Sequence, residues 1–321
     1  MTLKLISYLV VFAYFFLVFI GLLSFELWPQ VEYINSVAEN VSLLSLIGNY
    51  HFPRYLVVYP VYFLSGLVSN IDKNVLFSLY VVLFFFLTVC LCSKVLTDLA
   101  FKSRIRFKGI GNFNLCFLIL TIFLTPALFT INGRAIFGIF SSALLMYTLY
   151  FWERMPISKK LWLSIFSIFT STVSSGFTVL SFAILALFVL IKNVNRLNSK
   201  SLIILSAFIV MGIFSFDFFW FAIDKNVGFF GGGVSGLINM LNHGLGKFFH
   251  GDLVLFFMVF ASGVIFIATL LLIVRNVNLF LFILAMSSLV GLFGFTTMAY
   301  GIPALVVLLA FSLFYFMKFC R

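Results

Sequence analysis

The sequence predicts an all-α fold, a polytopic integral membrane helical bundle of 10–11 membrane segments that include short or re-entrant helices. Three observations predict it. Of 321 residues, 64% are hydrophobic and 9% charged, with a mean hydropathy of +1.22, which leaves too little polar surface for a soluble domain. Apolar runs of about twenty residues recur from end to end, long enough at about 1.5 Å per residue to cross a hydrocarbon core as helices. The runs are continuous, whereas a membrane β-barrel shows alternating segments of roughly ten residues. Residues 1–321 read as a single transmembrane domain with an outer glycine-rich loop at about 222–252.

The formal charge of +11 comes from basic residues spaced out between apolar runs, where they act as topology signals. Nucleic-acid binding is thereby excluded. Cys90, Cys92, Cys116 and Cys320 have neither metal-ligand spacing nor a disulfide framework, and His51, His243 and His250 are scattered. Neither a metal nor a cofactor is expected.

The first span is predicted from about Leu5 to Trp28, retained because no small-residue cleavage motif follows. The chain beyond carries Glu26, Glu32 and Glu39 and no basic residue until Arg54. Pro53 and Pro60 bracket the start of a short apolar segment, Tyr55–Val68, which is either a tilted short helix or a re-entrant one. Val75 to about Ser93 is a clear span. It leads into the most basic loop, with Lys94, Lys102, Arg104, Arg106 and Lys108 against Asp98, which the positive-inside rule assigns to the cytoplasm.

Phe113 to about Phe129 then runs outward to a polar corner, Thr130–Arg134, and Ala135–Phe151 returns. Arg154, Lys159 and Lys160 form a second inner cluster, and Lys192, Arg196 and Lys200 a third. The stretch between them is too short for two full spans, so two short helices are expected to meet at the serine-rich break Ser171–Gly176. Ser201–Phe221 crosses outward, and Leu237–Phe249 in the outer loop forms a short interfacial helix. Leu253–Val274 returns, and spans at Leu279–Phe295 and Pro303–Met317 are joined outside by Thr296–Gly301, leaving the C-terminus cytoplasmic. Eleven crossings put the N-terminus outside; ten, with Tyr55–Val68 re-entrant, put it inside, and the acid-rich stretch after the first span favours ten.

This count leaves Arg134 on the face opposite the basic clusters. It sits in the corner Asn132-Gly133-Arg134, and its planar donor fork matches a phosphate or carboxylate bidentately. Snorkelling to headgroups is the alternative. Arg54 shares a cluster with Tyr50, His51 and Tyr55, whose aromatic faces suit sugar rings and equally an interfacial belt. Ser174 and Ser175 in the serine break point to an internal polar site or a close helix crossing. His243, His250 and Asp252 are the loop groups able to act as a base, and Tyr300 faces the same compartment.

A "PRY…YP" stretch (Pro53 to Pro60) after the first span, an "NGRA" corner (Asn132 to Ala135) before a full span, and "SSG" (Ser174 to Gly176) between short helices are found together in a phenylalanine-rich polytopic chain. In these features the chain resembles the bacterial Wzy-type polymerases of O-antigen and capsular polysaccharide repeat units. That resemblance implies an inner-membrane glycosyltransferase of lipopolysaccharide or capsule biosynthesis. Such an enzyme moves a growing glycan from undecaprenyl pyrophosphate onto another lipid-linked repeat at the periplasmic face, without nucleotide sugar or metal. It implies undecaprenyl-pyrophosphate-linked glycans, membrane lipids and a chain-length regulator as partners, with Arg134 and Arg54 at the positions of the family's outward arginines. Two other functions fit the residues. A polyprenyl-phosphate-sugar-dependent glycosyltransferase would use Glu26 or Glu32, and a lipid-linked glycan flippase or transporter would use the arginines and broken helices for alternating access.

Overall fold

A computed structural model describes residues 2–38, 43–46, 49, 51–68, 70–103, 112–130, 133–194, 227–243, 279–287 and 295–319, with isolated positions between 206 and 268. The described residues are helical, with no strand among them. The helices are α1 (Leu3–Phe19), α2 (Pro29–Ala38), α3 (Phe52–Leu67), α4 (Lys73–Lys102), α5 (Phe113–Thr130) and α6 (Gly133–Tyr150). They continue as α7 (Ile157–Ser171), α8 (Ser175–Val194), α9 (Gly233–His243), α10 (Leu279–Met286) and α11 (Phe295–Phe319). Two helical stretches, Lys73–Lys102 and Ala299–Met317, are long and apolar enough to cross a membrane.

α6 is the axis of the bundle. It is apolar all round and buried along its length except at Arg134, Tyr147 and Tyr150, as expected of a helix enclosed on every side. α4, α7 and α11 pack around it. Phe137 on α6 lies 4.9 Å from Phe84 and 6.2 Å from Phe77 on α4 between ring centres.

The surface is apolar as well as the core, unlike that of a water-soluble fold. Large apolar side chains face outward, among them Phe12 on α1, Phe63 on α3, Ile122 on α5, Trp162 on α7 and Phe316 on α11. Serines and threonines sit inside. On α4, Ser78, Thr88 and Ser93 return their hydroxyls to the carbonyls of Asn74, Phe84 and Val89, which satisfies them without water. Between helices, Tyr14 and Thr125 share a hydrogen bond of 2.6 Å, and Ser141 on α6 donates to the Ser167 carbonyl on α7 at 2.7 Å.

The elements differ from expectation in four places. The predicted first span, Leu5–Trp28, is divided: α1 ends at Phe19, Gly21 turns the chain at φ 74°, and 22–28 runs on as extended chain. Leu23, Phe25 and Leu27 are buried while Ser24 and Glu26 are exposed, an alternation that an extended segment needs and a helix does not. The Phe25 amide donates to Ser78 Oγ at 2.8 Å, docking the segment on α4. The short segment after it begins earlier than predicted, at Phe52, with Pro53 in its first turn and Pro60 inside it.

The connector expected at Thr296–Gly301 is instead part of α11, which runs unbroken from Phe295. The bulky polar side chain of that stretch, Tyr300, is fully buried, 2.7 Å from Ser181 Oγ and with its ring centre 6.0 Å from that of Phe177. Burying that ring outweighs the polar look of the stretch. In the glycine-rich loop the helix expected at Leu237–Phe249 starts at Gly233, directly after Gly231 and Gly232, whose φ values of 111° and 75° turn the chain back. The predicted spans at Ser201–Phe221 and Leu253–Val274 lie almost wholly outside the described residues.

Two predicted junctions are found. α5 and α6 meet at the corner before Arg134, and α7 and α8 form a hairpin about the three residues 172–174.

Candidate functional site

Arg134 occupies the first turn of α6 because Gly133 lets that helix start hard against its neighbours. A Cβ at Gly133 would lie 3.0 Å from Phe77, 3.1 Å from Phe25 and 3.1 Å from Val81. The same extended segment carries Trp28 to the arginine, with the guanidinium carbon 6.0 Å from the ring centre, within cation–π range. Arg134 Nε donates to the Val173 carbonyl in the α7–α8 turn at 2.8 Å. A carbonyl and an aromatic face help to orient a guanidinium.

Arg54 lies in the first turn of α3 and is buried. Its Nη1 is 3.1 Å from His51 Nδ1. A guanidinium nitrogen can only donate, so Nδ1 accepts and His51 is neutral with its proton on Nε2. The His51 amide is fixed in turn by Asn49 Oδ1 at 2.9 Å. One turn on, Tyr55 Oη donates to Asn35 Oδ1 on α2 at 3.2 Å, and its ring lies 5.7 Å from Tyr59 and 5.5 Å from Tyr62. Glu32 on α2 is exposed and close enough for its charge to act on the Tyr62 hydroxyl.

The α7–α8 turn joins these two arginine-bearing segments. Thr172 Oγ1, whose proton goes to the Phe169 carbonyl, lies 3.4 Å from the Pro53 carbonyl, and the next residue, Val173, accepts from Arg134. The turn is held by its own hydroxyls, since Ser171 donates to Ile168, Thr172 to Phe169, and Thr178 to Ser174 at 3.1 Å. Ser174 is buried there and Ser175 opens α8. The serine-rich break is thus a self-capped turn onto which Arg134 and the start of α3 both dock.

The opposite end of α6 is built differently. Asp98, in the part of α4 beyond the apolar run that ends at Ser93, receives Arg154 at 2.7 Å, Lys102 at 3.0 Å and Tyr150 Oη at 2.7 Å. Partial burial pushes the Asp98 carboxyl up, but the hydrogen bonds from Tyr150, Arg154 and Lys102 outweigh it and hold the carboxyl below its ordinary value. Lys102 of the loop cluster and Arg154 of the second cluster, assigned by charge to one side, are therefore at one end of the bundle. Arg134 is 16 helical residues from Tyr150, about 24 Å.

Of the predicted site residues, Arg134, Arg54, His51, Tyr55, Ser174 and Ser175 fall in this arrangement. Tyr300 does not reach an outer surface; it is a core residue of α11 bonded to Ser181. His243 is the last residue of α9, and Tyr50, Asn132, His250 and Asp252 lie outside the described residues. Among the described residues no cluster of His, Cys, Asp or Glu could hold a metal ion. Sequence reasoning missed Trp28 as the partner of Arg134 and the link from Thr172 to Pro53; the alternation over 23–27 was the available signal for the first. No family model, curated protein or solved structure matches the chain.

Proposed function

We propose that this chain is a multi-pass protein of the bacterial inner membrane that polymerises undecaprenyl-pyrophosphate-linked oligosaccharide repeat units at the periplasmic face. The membrane reading rests on the exposed large apolar side chains and on the two long apolar helices. The C-terminus is placed in the cytoplasm by the positive-inside rule. The observation that carries the activity is the docking of two arginine-bearing segments on one turn, Thr172–Val173, at the end of α6 remote from the Asp98 network.

In the reaction the bond between the donor sugar and pyrophosphate breaks, and undecaprenyl pyrophosphate leaves with the electron pair. An acceptor hydroxyl forms the new glycosidic bond and gives up its proton. Arg134 and Arg54 bind the pyrophosphate and stabilise its growing charge. The exposed ring of Tyr59, packed against the buried Tyr55, offers a platform for a sugar. The base is sought among Glu32 of α2 and His243, His250 and Asp252 of the outer loop. A chain-length regulator is a further partner, and neither metal nor cofactor is required.

Deletion of the gene followed by analysis of lipid-linked glycans tests this reading. Single repeats exposed at the periplasmic face with no polymer are the expected result. Repeats trapped on the cytoplasmic face would sink it in favour of a flippase.

A further inference from the structure

Arg54 differs from Lys102, Arg134 and Arg154 in the kind of acceptor it meets. Lys102 and Arg154 donate to the Asp98 carboxylate, and Arg134 donates to the Val173 carbonyl. Arg54 Nη1 donates to Nδ1 of His51 at 3.1 Å. Of these acceptors only the imidazole turns into a cation on protonation, and the imidazolium has no lone pair to offer.

The local sequence turns the ring toward the arginine. His51 precedes α3 as its N-cap, where a side chain ordinarily accepts from an amide of the first turn, yet it makes no such capping bond. Pro53, in that turn, has no amide to satisfy. The ring instead meets the residue three positions on, which shares its side of the helix. Its backbone is fixed on both sides, the amide by Asn49 Oδ1 at 2.9 Å and the carbonyl by the Tyr55 amide at 3.1 Å. Arg54 is buried, so a guanidinium that loses Nδ1 has little water within reach and must move to regain a partner.

We propose that His51 is a pH-sensitive positioning residue for Arg54: as the neutral imidazole it holds the guanidinium, and as the imidazolium it releases it. Two features of the fold oppose the charged ring at neutral pH. They are the guanidinium itself and the positive N-terminal end of α3, whose first turn carries no acid. The helices packed on α3 are α2, α4 and α7. On α2, Tyr33 is exposed and Glu32 acts on Tyr62, about three turns along α3 from His51. On α4, Lys73, capped by Asp72, lies over the Tyr62 ring, Tyr80 donates to the Val57 carbonyl, Cys90 and Cys92 are thiols, and Lys94, Asp98 and Lys102 belong to the opposite end. α7 reaches this end with hydroxyls, its Lys159 and Lys160 lying in its first turn. The charge that the structure sets against the His51 ring is that of Arg54. In acid, one arm of the proposed pyrophosphate clamp therefore loses its orientation; that last step alone rests on the polymerase reading.

Solid-state NMR of the full chain in phospholipid bilayers, labelled at the histidine nitrogens, tests the pairing, the His51 signals being those missing from His51→Asn. At neutral pH Nδ1 is expected bare and Nε2 protonated, and Arg54→Met should raise the pH at which the ring takes up its second proton. A protonated Nδ1 at neutral pH in the wild type, or a titration that Arg54→Met leaves unmoved, overturns the pairing. In isolated membranes, His51→Asn puts Oδ1 where Nδ1 stood and cannot become a cation. It should keep the rate of repeat-unit addition within about threefold of wild type, whereas His51→Ala should lower it about tenfold. The ratio of the His51→Asn rate to the wild-type rate should rise as pH falls from about 7 to about 5.5, since every other titrating group acts on both. A constant ratio, or His51→Asn falling as far as His51→Ala, overturns the positioning role. Absence of polymerisation in wild-type membranes would sink the polymerase reading, and the NMR result would still decide the pairing.

Discussion

The two ends of α6 carry an arginine each and treat it in opposite ways. Arg154, just beyond the C-terminal end, is exposed and bonds to Asp98 together with Lys102 and Tyr150. Arg134, in the first turn, is half-buried, donates to the Val173 carbonyl and lies beside Trp28. The carboxylate of Asp98 gathers two cations and a tyrosine at one end, and the Val173 carbonyl and the Trp28 ring orient the guanidinium at the other. The Asp98 end therefore locks α4 to the end of α6, and the Arg134 end presents an oriented cation where α3, α6 and the α7–α8 turn meet. Charge counting alone does not separate these roles; the partner groups do.

The comparison breaks first, and by the largest amount, at Arg134 itself. Arg134→Ala should lower the rate of repeat-unit addition about 100-fold or more, measured in isolated membranes, while helical content by circular dichroism stays as in the wild type. Arg154→Ala should leave that rate within about twofold. Gly133→Leu comes next: its side chain must displace Phe25 and Phe77, costing about 1–3 kcal/mol by overpacking. Because the displaced segment carries Trp28, activity should fall further than the thermal midpoint alone accounts for. Trp28→Leu removes the ring and keeps the carbonyl contact, so an activity loss of about tenfold is expected.

Asp98→Asn should have the smallest effect, about 1 kcal/mol of stability with activity intact, because Asp98 is partly solvated and water screens its ion pairs. The sign of its pH dependence follows from the lowered carboxyl. The stabilisation is present above the unfolded-state value of an aspartate, about 3.9, and is lost as pH falls through the lower folded value. Thermal midpoints of wild type and Asp98→Asn should therefore converge in strong acid and differ at neutral pH.

The helical class, the α5–α6 corner and the α7–α8 hairpin were legible because each is marked by something local: a Gly-Arg interruption, or cations flanking an apolar stretch too short for two spans. The end of α1 was not legible from hydropathy, since Leu22, Leu23, Phe25 and Leu27 prolong its apolar run. Only their period-two alternation distinguishes an extended segment docked on α4. Tyr300 was misplaced for the converse reason, because a polar stretch looks like a connector unless its partner is known, and Ser181 is 119 positions away. At the site, Arg134 and Arg54 could be found as cations out of place. The approach of Pro53, the neighbour of Arg54, to Thr172 and the bond from Arg134 to Val173 bring α3, α6 and the α7–α8 turn together, and no local pattern reports it.

The central claim is that Arg134 acts through an oriented planar fork rather than through charge alone. Arg134→Lys keeps the charge and loses the fork. The chain-length distribution of lipid-linked glycan in cells expressing it, at membrane levels equal to wild type, tests this most directly. The account predicts single repeats and very short chains; polymer of wild-type length and amount would contradict it.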